Sequence, residues 1–461
     1  MYAEEETITA IATPTGQGGI GIVRISGPRT VEVVGRLFRP KKATTRLQSH
    51  RLYLGHLVDP HSGEVLDEVL VSLMKAPHSY TREDVAEINS HSGYLLLSKI
   101  LRLVLDQGAR LARPGEFTLR AFLNGRIDLT QAEAVVDLIN AKSETGLKLA
   151  SQQIQGAFRK KIERLIDETV KLLAECEMSI DFSEEDVPIP PSKDIARRVE
   201  KRLIRPIDSL IQRHARKRLW VDGISTVIVG RVNAGKSSLL NRLLDEPRAI
   251  VTPIPGTTRD IIESTITIHG LPLRLMDTAG FGRARDEVER IGVRLTEEKL
   301  TEADFLLVVI DRSRPLNPDD VHILSRARQK KALVVVNKID LPSRLNAGDQ
   351  REHWSDLPSV EISALTGKGL ASLRKTIVQY LLGETLDTTS TGIGPKIRHH
   401  ESLMRARRFF EGAFERAGQD APMEITALEL RSGLDALGEI VGETTNEAVL
   451  HALFSRFCIG K

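Results

Sequence analysis

Cysteine is scarce in this sequence, and its scarcity excludes two kinds of protein. Cys176 and Cys458 are the only cysteines among 461 residues. Two cysteines so far apart provide neither a disulfide framework nor the paired ligands of a structural zinc site. This usage favours a reducing, cytoplasmic location. Cys176 also continues the apolar face of a predicted helix, so we expect its thiol to be buried.

Aromatic residues, net charge and long apolar runs are also limited. Aromatics make up 4% of the chain, which argues against a protein that stacks single-stranded bases on its surface. The net charge is +3, so any RNA contact must come from local basic patches. No apolar run approaches membrane-spanning length, and the acidic start Met1–Glu6 lacks the apolar core of a signal peptide. We therefore expect a cytoplasmic protein with no membrane contact.

The most informative stretch is a phosphate loop. The apolar run 225–229 predicts a buried strand, Gly230–Ser237 reads GRVNAGKS, and residues 238–244 predict an amphipathic helix. A strand, GxxxxGK[ST] and a helix form the context in which backbone N–H groups surround a nucleotide phosphate. Lys236 would contact the β- and γ-phosphates, and the hydroxyl of Ser237 would bind Mg²⁺.

Four further motifs follow in the order typical of GTP-binding domains. Gly256–Asp260 (GTTRD) offers hydroxyls to Mg²⁺ and the γ-phosphate, and Asp277–Gly280 (DTAG) follows a predicted strand. Asn337–Asp340 (NKID) predicts recognition of guanine, since one carboxylate accepts from both guanine N1–H and its amine, and Ser363–Leu365 (SAL) offers N–H groups to guanine O6. The residues predicted to bind GTP are Asn233, Ala234, Gly235, Lys236, Ser237, Ser238, Thr252, Pro253, Ile254, Pro255, Gly256, Thr257, Thr258, Asp277, Thr278, Ala279, Gly280, Asn337, Lys338, Ile339, Asp340, Ser363, Ala364 and Leu365. Ser237 and Thr258 are the predicted Mg²⁺ ligands.

A second glycine-rich stretch, Gly16–Gly21, matches GxGxxG by letter. A dinucleotide site needs a helix directly after this motif, whereas here an alternating strand follows. We therefore predict a loop between two strands within a small mixed α/β domain. Helices are predicted for Pro28–Phe38 and Tyr94–Leu105 of this domain.

Helical patterns surround the nucleotide-binding motifs on both sides. A capping box at Thr130–Glu133 is expected to start one helical region, and further helices are predicted near 399–417, 425–441 and 446–457. The predicted domains are residues 1–122, 123–222 (helical), 223–383 (GTPase) and 384–461 (helical). Either the two helical segments form one domain into which the Ras-like, mostly parallel α/β domain is inserted, or they form two domains.

The position after Asp277–Gly280 is Phe281, where Ras-like proteins carry the glutamine that orients the attacking water. Hydrolysis then needs another carboxylate, another cation or a partner protein. The carboxylates Asp286, Glu287 and Glu289 follow in a polar segment, and the residues alone do not select among them.

Several motifs together resemble the family of tRNA modification GTPases MnmE (TrmE) over the whole chain. They are GRVNAGKSS at 230–238, GTTRD at 256–260, DEVERIG at 286–292, RPGEF at 113–117 and CIGK at 458–461. The resemblance implies GTP-dependent addition of a carboxymethylaminomethyl-type group at C5 of the wobble uridine of certain tRNAs. It implies a homodimer that forms a heterotetramer with the FAD-containing protein MnmG. The one-carbon unit would come from a 5-formyl or methylene tetrahydrofolate.

The same resemblance assigns further roles to individual residues. Arg24, Glu87, Arg126 and Lys461 would bind the folate, with Arg126 replacing the lysine of one branch of the family. Cys458 is a candidate catalytic thiol and Glu289 the catalytic glutamate. K⁺ would take the place of an arginine finger when two GTPase domains meet. Its predicted ligands are Asn233, Thr252, Ile254 and Thr257.

Two other classes of protein remain open at this point. A ribosome-assembly GTPase of the Era or Der type should carry a KH module or a second phosphate loop, and the chain shows neither. A non-enzymatic scaffold that only senses the bound nucleotide would be distinguished by an assay of GTP turnover.

Overall fold

The computed structural model describes residues 6–14, 16, 18–42, 47–141, 143–181, 191–221, 223–244, 264–275, 303–346, 348–382, 396–443, 447–455 and 457–461. These residues belong to two compact units. The first contains Met1–Val136, Gln153–Val199 and Arg408–Lys461, and the second contains Asp137–Gln152 and Glu200–Arg407. The four predicted domain ranges stay predictions.

The first unit contains a seven-stranded sheet. Its strands are β1 (Ile8–Ile11), β2 (Gly21–Ser26), β3 (Phe38–Pro40), β4 (Arg51–Val58), β5 (Val65–Met74), β6 (Val85–Ser90) and β7 (Arg110–Leu111). They lie in the order β3-β4-β5-β6-β2-β1-β7, antiparallel throughout except for the parallel pair β1 and β7. The stretch with the GxGxxG letters runs from β1 to its antiparallel neighbour β2, which confirms the predicted loop between two strands.

Alternating burial along the strands places one face of this sheet against two helices. Val69, Val71 and Leu73 of β5 are buried in one core, as a period of two residues requires of a sheet covered on one side. The helices on that face are α1 (Thr30–Leu37) and α2 (Tyr94–Asp106). Both match predicted helical patterns.

The remaining helices of the chain are numbered in order. They are α3 (Glu116–Leu123), α4 (Leu129–Asn140), α5 (Glu144–Ile154), α6 (Arg159–Asp181), α7 (Ser192–Val199), α8 (Arg205–Val221), α9 (Lys236–Leu244), α10 (Pro318–Ala327), α11 (Asp349–His353), α12 (Leu370–Leu382), α13 (Ile397–Gly418), α14 (Met423–Val441) and α15 (Glu447–Phe454). A π-helical segment, Glu200–Ile204, lies between α7 and α8.

The start of α4 corrects the predicted capping box. The carboxylate of Asp128 accepts from the backbone N–H of Gln131 (3.1 Å), and the Gln131 side chain accepts from the Asp128 N–H (3.0 Å). The reciprocal pair is therefore Asp128 and Gln131, two residues before the predicted Thr130–Glu133, which was wrong. Asp is at least as good an N-cap as Thr, and Gln serves at the third position as well as Glu.

Helices from both segments share cores within the first unit. Helix α6 packs along α14, and Arg431 of α14 bonds Glu177 of α6 at 2.6 Å. Leu129 of α4 and Phe454 of α15 lie in one apolar cluster. The predicted helical domain built from two segments is thereby confirmed over the alternative of two separate domains.

Cys176 lies on the buried side of α6, as predicted. Burial raises the pKa of its thiol to about 11, so the side chain behaves as a small apolar group. Across the residues that the structure describes, no helix has both the length and the apolar character needed to cross a bilayer.

The second unit is organised on a six-stranded sheet. Its strands are β8 (Ile224–Val229), β9 (Ser264–Ile268), β10 (Leu271–Leu275), β11 (Phe305–Asp311), β12 (Ala332–Asn337) and β13 (Ser359–Glu361). The order is β13-β12-β11-β8-β10-β9, parallel except for the pair β9 and β10. All residues of β8, β11 and β12 are buried, as expected of central parallel strands covered on both faces. The predicted mostly parallel sheet is confirmed.

Candidate functional site

The phosphate loop lies between the end of β8 and the start of α9. Two of its glycines are required by space as well as by conformation. Gly230 has a φ of 152°, and a Cβ there would lie 2.3 Å from the carbonyl oxygen of Val309. Gly235 has a φ of 99°, and a Cβ there would lie 2.1 Å from the side-chain nitrogen of Asn337. Any side chain at either position would push the loop away from β11 or from the base-recognition motif.

Lys236 occupies the interior of this loop. Its ammonium donates to the carbonyls of Gly230 (2.7 Å) and Arg231 (2.8 Å). Burial lowers the pKa of Lys236, because the ammonium exchanges water for a few fixed carbonyls. A neighbouring anion would favour the charged form of Lys236 and raise its pKa again. The loop is therefore chemically suited to a phosphate group.

Asn337 joins three of the predicted motifs. Its amide nitrogen donates to the carbonyl of Ala234 in the phosphate loop (3.0 Å). Its amide oxygen accepts from the backbone N–H of Ala364 in the SAL motif (2.9 Å). Asn337 is itself almost fully buried, so its two bonds fix the distance between loops that lie far apart in sequence.

Lys338 makes a second connection to the phosphate loop. Its ammonium donates to the carbonyl of Asn233 (2.8 Å) and to the carboxylate of Asp311 (2.7 Å). Burial opposes ionisation of Asp311, but bonds from Lys338 and Ser313 outweigh it and lower the pKa of this carboxyl. Sequence reasoning missed Asp311, although an acid at the end of the apolar run 305–310 was a visible signal.

Three predicted contact residues are exposed at the same edge of the sheet. Asp340, Ser237 and the left-handed Asn233 (φ 64°) all present side chains to solvent. The predicted residues Thr252, Pro253, Ile254, Pro255, Gly256, Thr257, Thr258, Asp277, Thr278, Ala279, Gly280 and Glu289 lie outside the described part of the chain. Their roles stay predictions.

A second cluster of predicted residues lies in the first unit, around Arg24 of β2. The guanidinium of Arg24 bonds the Glu87 carboxylate through both Nε (2.9 Å) and Nη2 (2.8 Å). The two residues are direct cross-strand neighbours on β2 and β6. The Nη1 atom of Arg24 donates to the carbonyl of Gly460 (3.2 Å). Three distant parts of the chain thus meet at one half-buried arginine.

The ring of Tyr80 connects Arg24 to Arg126. The guanidinium carbon of Arg24 lies 5.8 Å from the centre of this ring, and that of Arg126 lies 4.7 Å from it. Arg126 also donates to the Tyr80 carbonyl (3.2 Å). Two cations beside one aromatic ring suit a ligand that is both flat and anionic. Sequence reasoning missed Tyr80, and nothing local to its sequence indicated it.

Gly460 docks closely against the end of β1. Its φ is 95°, and a Cβ there would lie 2.6 Å from the carbonyl oxygen of Ile11. The carbonyl of Cys458 accepts from the N–H of Gly115 (3.4 Å) and from that of Lys461 (3.3 Å). Cys458 is exposed, and Lys461 is half-buried. The structure therefore brings the tail 458–461 to the Arg24 cluster.

A buried ionic network supports the loop that carries Tyr80. Arg120 of α3 bonds Glu83 (3.0 Å) and Glu116 (3.3 Å), and Arg110 bonds Glu116 at 2.7 Å. Burial opposes ionisation of Glu116, but Arg110, the N–H of Arg113 and Arg120 together lower the pKa of its carboxyl. The tyrosine hydroxyl of the same loop bonds Thr118 at 2.9 Å.

Comparisons with known proteins show which families and proteins this chain is similar to. Residues 7–126 match the family model "GTP-binding protein TrmE N-terminus", and residues 129–458 match the "MnmE helical domain". The chain is 44% identical over 458 residues to the tRNA modification GTPase MnmE of Thermoanaerobacter pseudethanolicus, covering 99% of both chains. It is 45% identical over 462 residues to the MnmE of Geobacter sulfurreducens, covering 100% of both. Among solved structures, Era of Aquifex aeolicus is 30% identical with a TM-score of 0.27, covering 40% of this chain and 66% of that one.

Proposed function

The chain belongs to the MnmE family of tRNA modification GTPases, and from this premise we propose that it hydrolyses GTP to support a modification of tRNA. Family membership favours this function over that of an Era- or Der-type ribosome-assembly GTPase. The predicted guanine-binding residues belong to a domain with the phosphate loop and sheet that such hydrolysis requires.

Each part of the nucleotide site would bind a different part of the GTP molecule. Lys236 and the N–H groups of the phosphate loop would bind the β- and γ-phosphates, and Asp340 would pair with guanine. Mg²⁺ would neutralise charge on the phosphates, held by the hydroxyls of Ser237 and Thr258. The bonds of Asn337 and Lys338 to the phosphate loop support this proposal, because they hold the base and phosphate motifs at a fixed separation.

Phe281 has no group that could orient water, so hydrolysis needs other residues. We assign the orientation of the attacking water to Glu289. K⁺ would supply the charge of an arginine finger, held by Asn233, Thr252, Ile254 and Thr257 when the GTPase domains of a homodimer meet. The exposed side chain of Asn233 supports this assignment, since it is accessible to an ion at the domain surface.

The modification chemistry would take place at the Arg24 cluster. The observation that carries this proposal is the convergence of Arg24, Glu87 and Arg126 with the tail at Gly460 around the Tyr80 ring. A tetrahydrofolate, in its 5-formyl or methylene form, would supply the one-carbon unit there. The arginines and Lys461 would bind its glutamate carboxylates or its polar ring atoms, and Tyr80 would pack against its flat surfaces. Cys458 stays a candidate catalytic thiol.

The proposed partners follow from the same chemistry. The complete reaction would add a carboxymethylaminomethyl-type group at C5 of the wobble uridine. It would require the tRNA substrate and the FAD-containing protein MnmG, bound as a heterotetramer in the cytoplasm. FAD would be provided by MnmG.

Nucleoside mass spectrometry of tRNA tests the proposal. A strain lacking this protein should lose the modified wobble uridine, and the wild-type gene should restore it. An Arg24→Ala variant should fail to restore the nucleoside while keeping GTP turnover in vitro, whereas Arg29→Ala, an exposed arginine of the same domain, should restore it. Unchanged tRNA in the deletion strain, with impaired ribosome assembly, would favour the Era-type function. Normal modification by a variant without GTP turnover would favour a scaffold.

A further inference from the structure

Arg242 connects the helix that follows the phosphate loop to the SAL motif, Ser363–Leu365. It lies on α9, which begins at Lys236, and its guanidinium crosses to the SAL motif more than a hundred residues later. The Nε atom donates to the carbonyl of Ala364 (3.2 Å), and Nη2 donates to the carbonyl of Leu365 (2.8 Å). One rigid fork of donors therefore fixes two successive carbonyl groups.

Fixing the Ala364 carbonyl also fixes the N–H of Leu365. These two groups belong to the same planar trans peptide unit and point in opposite directions. A cation bonded to the carbonyl side therefore orients the N–H to the far side of the unit. Charge at the carbonyl also strengthens the same peptide as a donor.

Leu365 provides the donor of the SAL motif that is left for a ligand. The N–H of Ser363 donates to the carbonyl of Lys368 (2.9 Å), and that of Ala364 donates to Asn337 (2.9 Å). Within the part of the chain that the structure describes, the Leu365 N–H donates to no protein acceptor. Guanine O6 is the acceptor expected beside this loop.

We propose that Arg242 is a positioning residue that orients the Leu365 N–H toward guanine O6, and that it thereby sets the affinity for 6-oxopurine nucleotides. The proposal rests on the proposed binding of guanine nucleotides. It differs from a general stabilising role because it concerns one acceptor atom of the ligand. A ligand that lacks a good acceptor at position 6 should be insensitive to Arg242.

The test compares GDP with 6-thio-GDP, in which a weakly accepting sulfur replaces O6 while N1–H and the exocyclic amine remain. The full-length wild-type protein should bind 6-thio-GDP about tenfold more weakly than GDP, as expected for one hydrogen bond. In Arg242→Ala, GDP affinity should fall about tenfold while 6-thio-GDP affinity stays the same, so the two affinities converge. Arg242→Lys retains the positive charge but has a single nitrogen in place of the fork, so its GDP affinity should lie between those of the wild type and Arg242→Ala.

Arg328→Ala is the matched control. Arg328 also donates to a backbone carbonyl, that of Glu352 (3.1 Å), and it bonds Asp356 elsewhere on the same domain. This variant should bind both nucleotides as the wild type does. An equal loss of both nucleotides in Arg242→Ala, or no loss of either, would overturn the proposal even if guanine nucleotides bind. Failure of the wild-type protein to bind GDP would instead refute the proposed function.

Discussion

The tail at Gly460 allows a sharp test of how the Arg24 cluster is built. Substitution of Gly460 by alanine places a Cβ 2.6 Å from the carbonyl oxygen of Ile11, at a φ of 95°. A left-handed conformation costs an L-residue about 1–2 kcal/mol. The clash also displaces the Gly460 carbonyl from Arg24, which removes a charged hydrogen bond of about 1.5–3 kcal/mol. Together these terms weaken docking of the tail by roughly 50-fold or more.

We expect Gly460→Ala to bind 5-formyltetrahydrofolate at least about tenfold more weakly in calorimetry, because docking of the tail must precede a complete site. Exchange of the Gly115 and Lys461 amide protons should accelerate, since both donate to Cys458 in the docked tail. GTP turnover should be unchanged, because the nucleotide motifs lie in the other unit.

Alanine variants of two other glycines serve as controls that distinguish the effect of backbone strain from the effect of steric crowding. Gly63 has a φ of 73° but open space around its Cβ position, and Gly418 has open space with no left-handed φ. Alanine at either should leave folate binding intact. Wild-type folate affinity in Gly460→Ala, or an equal loss in Gly63→Ala, would refute the reasoning.

Three further predictions concern the base, the ion and acid stability. Asp340→Asn should weaken GTP binding at least about tenfold and improve relative binding of xanthine nucleotides, measured by competition; unchanged GTP and ATP discrimination would remove Asp340 from the base site. GTP turnover should be much faster in KCl than in NaCl at equal ionic strength, and Glu289→Ala should slow turnover with little loss of GTP affinity; equal rates in both salts would contradict the cation mechanism. Because Glu116 has a folded-state pKa below its ordinary 4.5, it should contribute stability above pH 4.5 that is lost as the pH falls below that value toward the folded-state pKa. Thermal melts of Glu116→Gln against pH should show a shallower acid decline than the wild type, and parallel curves would assign the decline to other carboxyls.

Local signals in the sequence predicted several elements of the fold. The apolar run before the phosphate loop became β8, and the pattern from Tyr94 to Leu105 became α2 with one additional residue. These signals succeed because periodicity and turn residues act within about ten neighbouring positions. The misplaced capping box shows that local signals locate a helix start only to within a few residues. Asp128 and Thr130 are both good N-cap residues, and the sequence nearby does not select between them.

The two candidate sites were harder to predict, because their residues come together from distant parts of the sequence. The motif order predicted that Asn337 and the phosphate loop lie together, because parallel strands end at the same sheet edge. The contact of Arg242 with Leu365 depends on the length and direction of one side chain across that edge. The packing of Arg24 and Arg126 on Tyr80 depends on how β2, the loop before β6 and the segment after α3 meet, and no periodicity encodes it.

The bond between Arg24 and Gly460 also has a consequence for biosynthesis. The two residues are 436 positions apart, and a ribosome needs roughly 20–90 s to translate that distance. Until Gly460 has been made, the sheet, its arginines and the Tyr80 loop lack the carbonyl that completes their cluster. Release of the nascent chain after residue 365 but before Gly460 would yield a molecule with every nucleotide motif and an open Arg24 cluster. The Arg24 cluster can therefore be completed only after the GTPase domain and the helices that follow it have been translated.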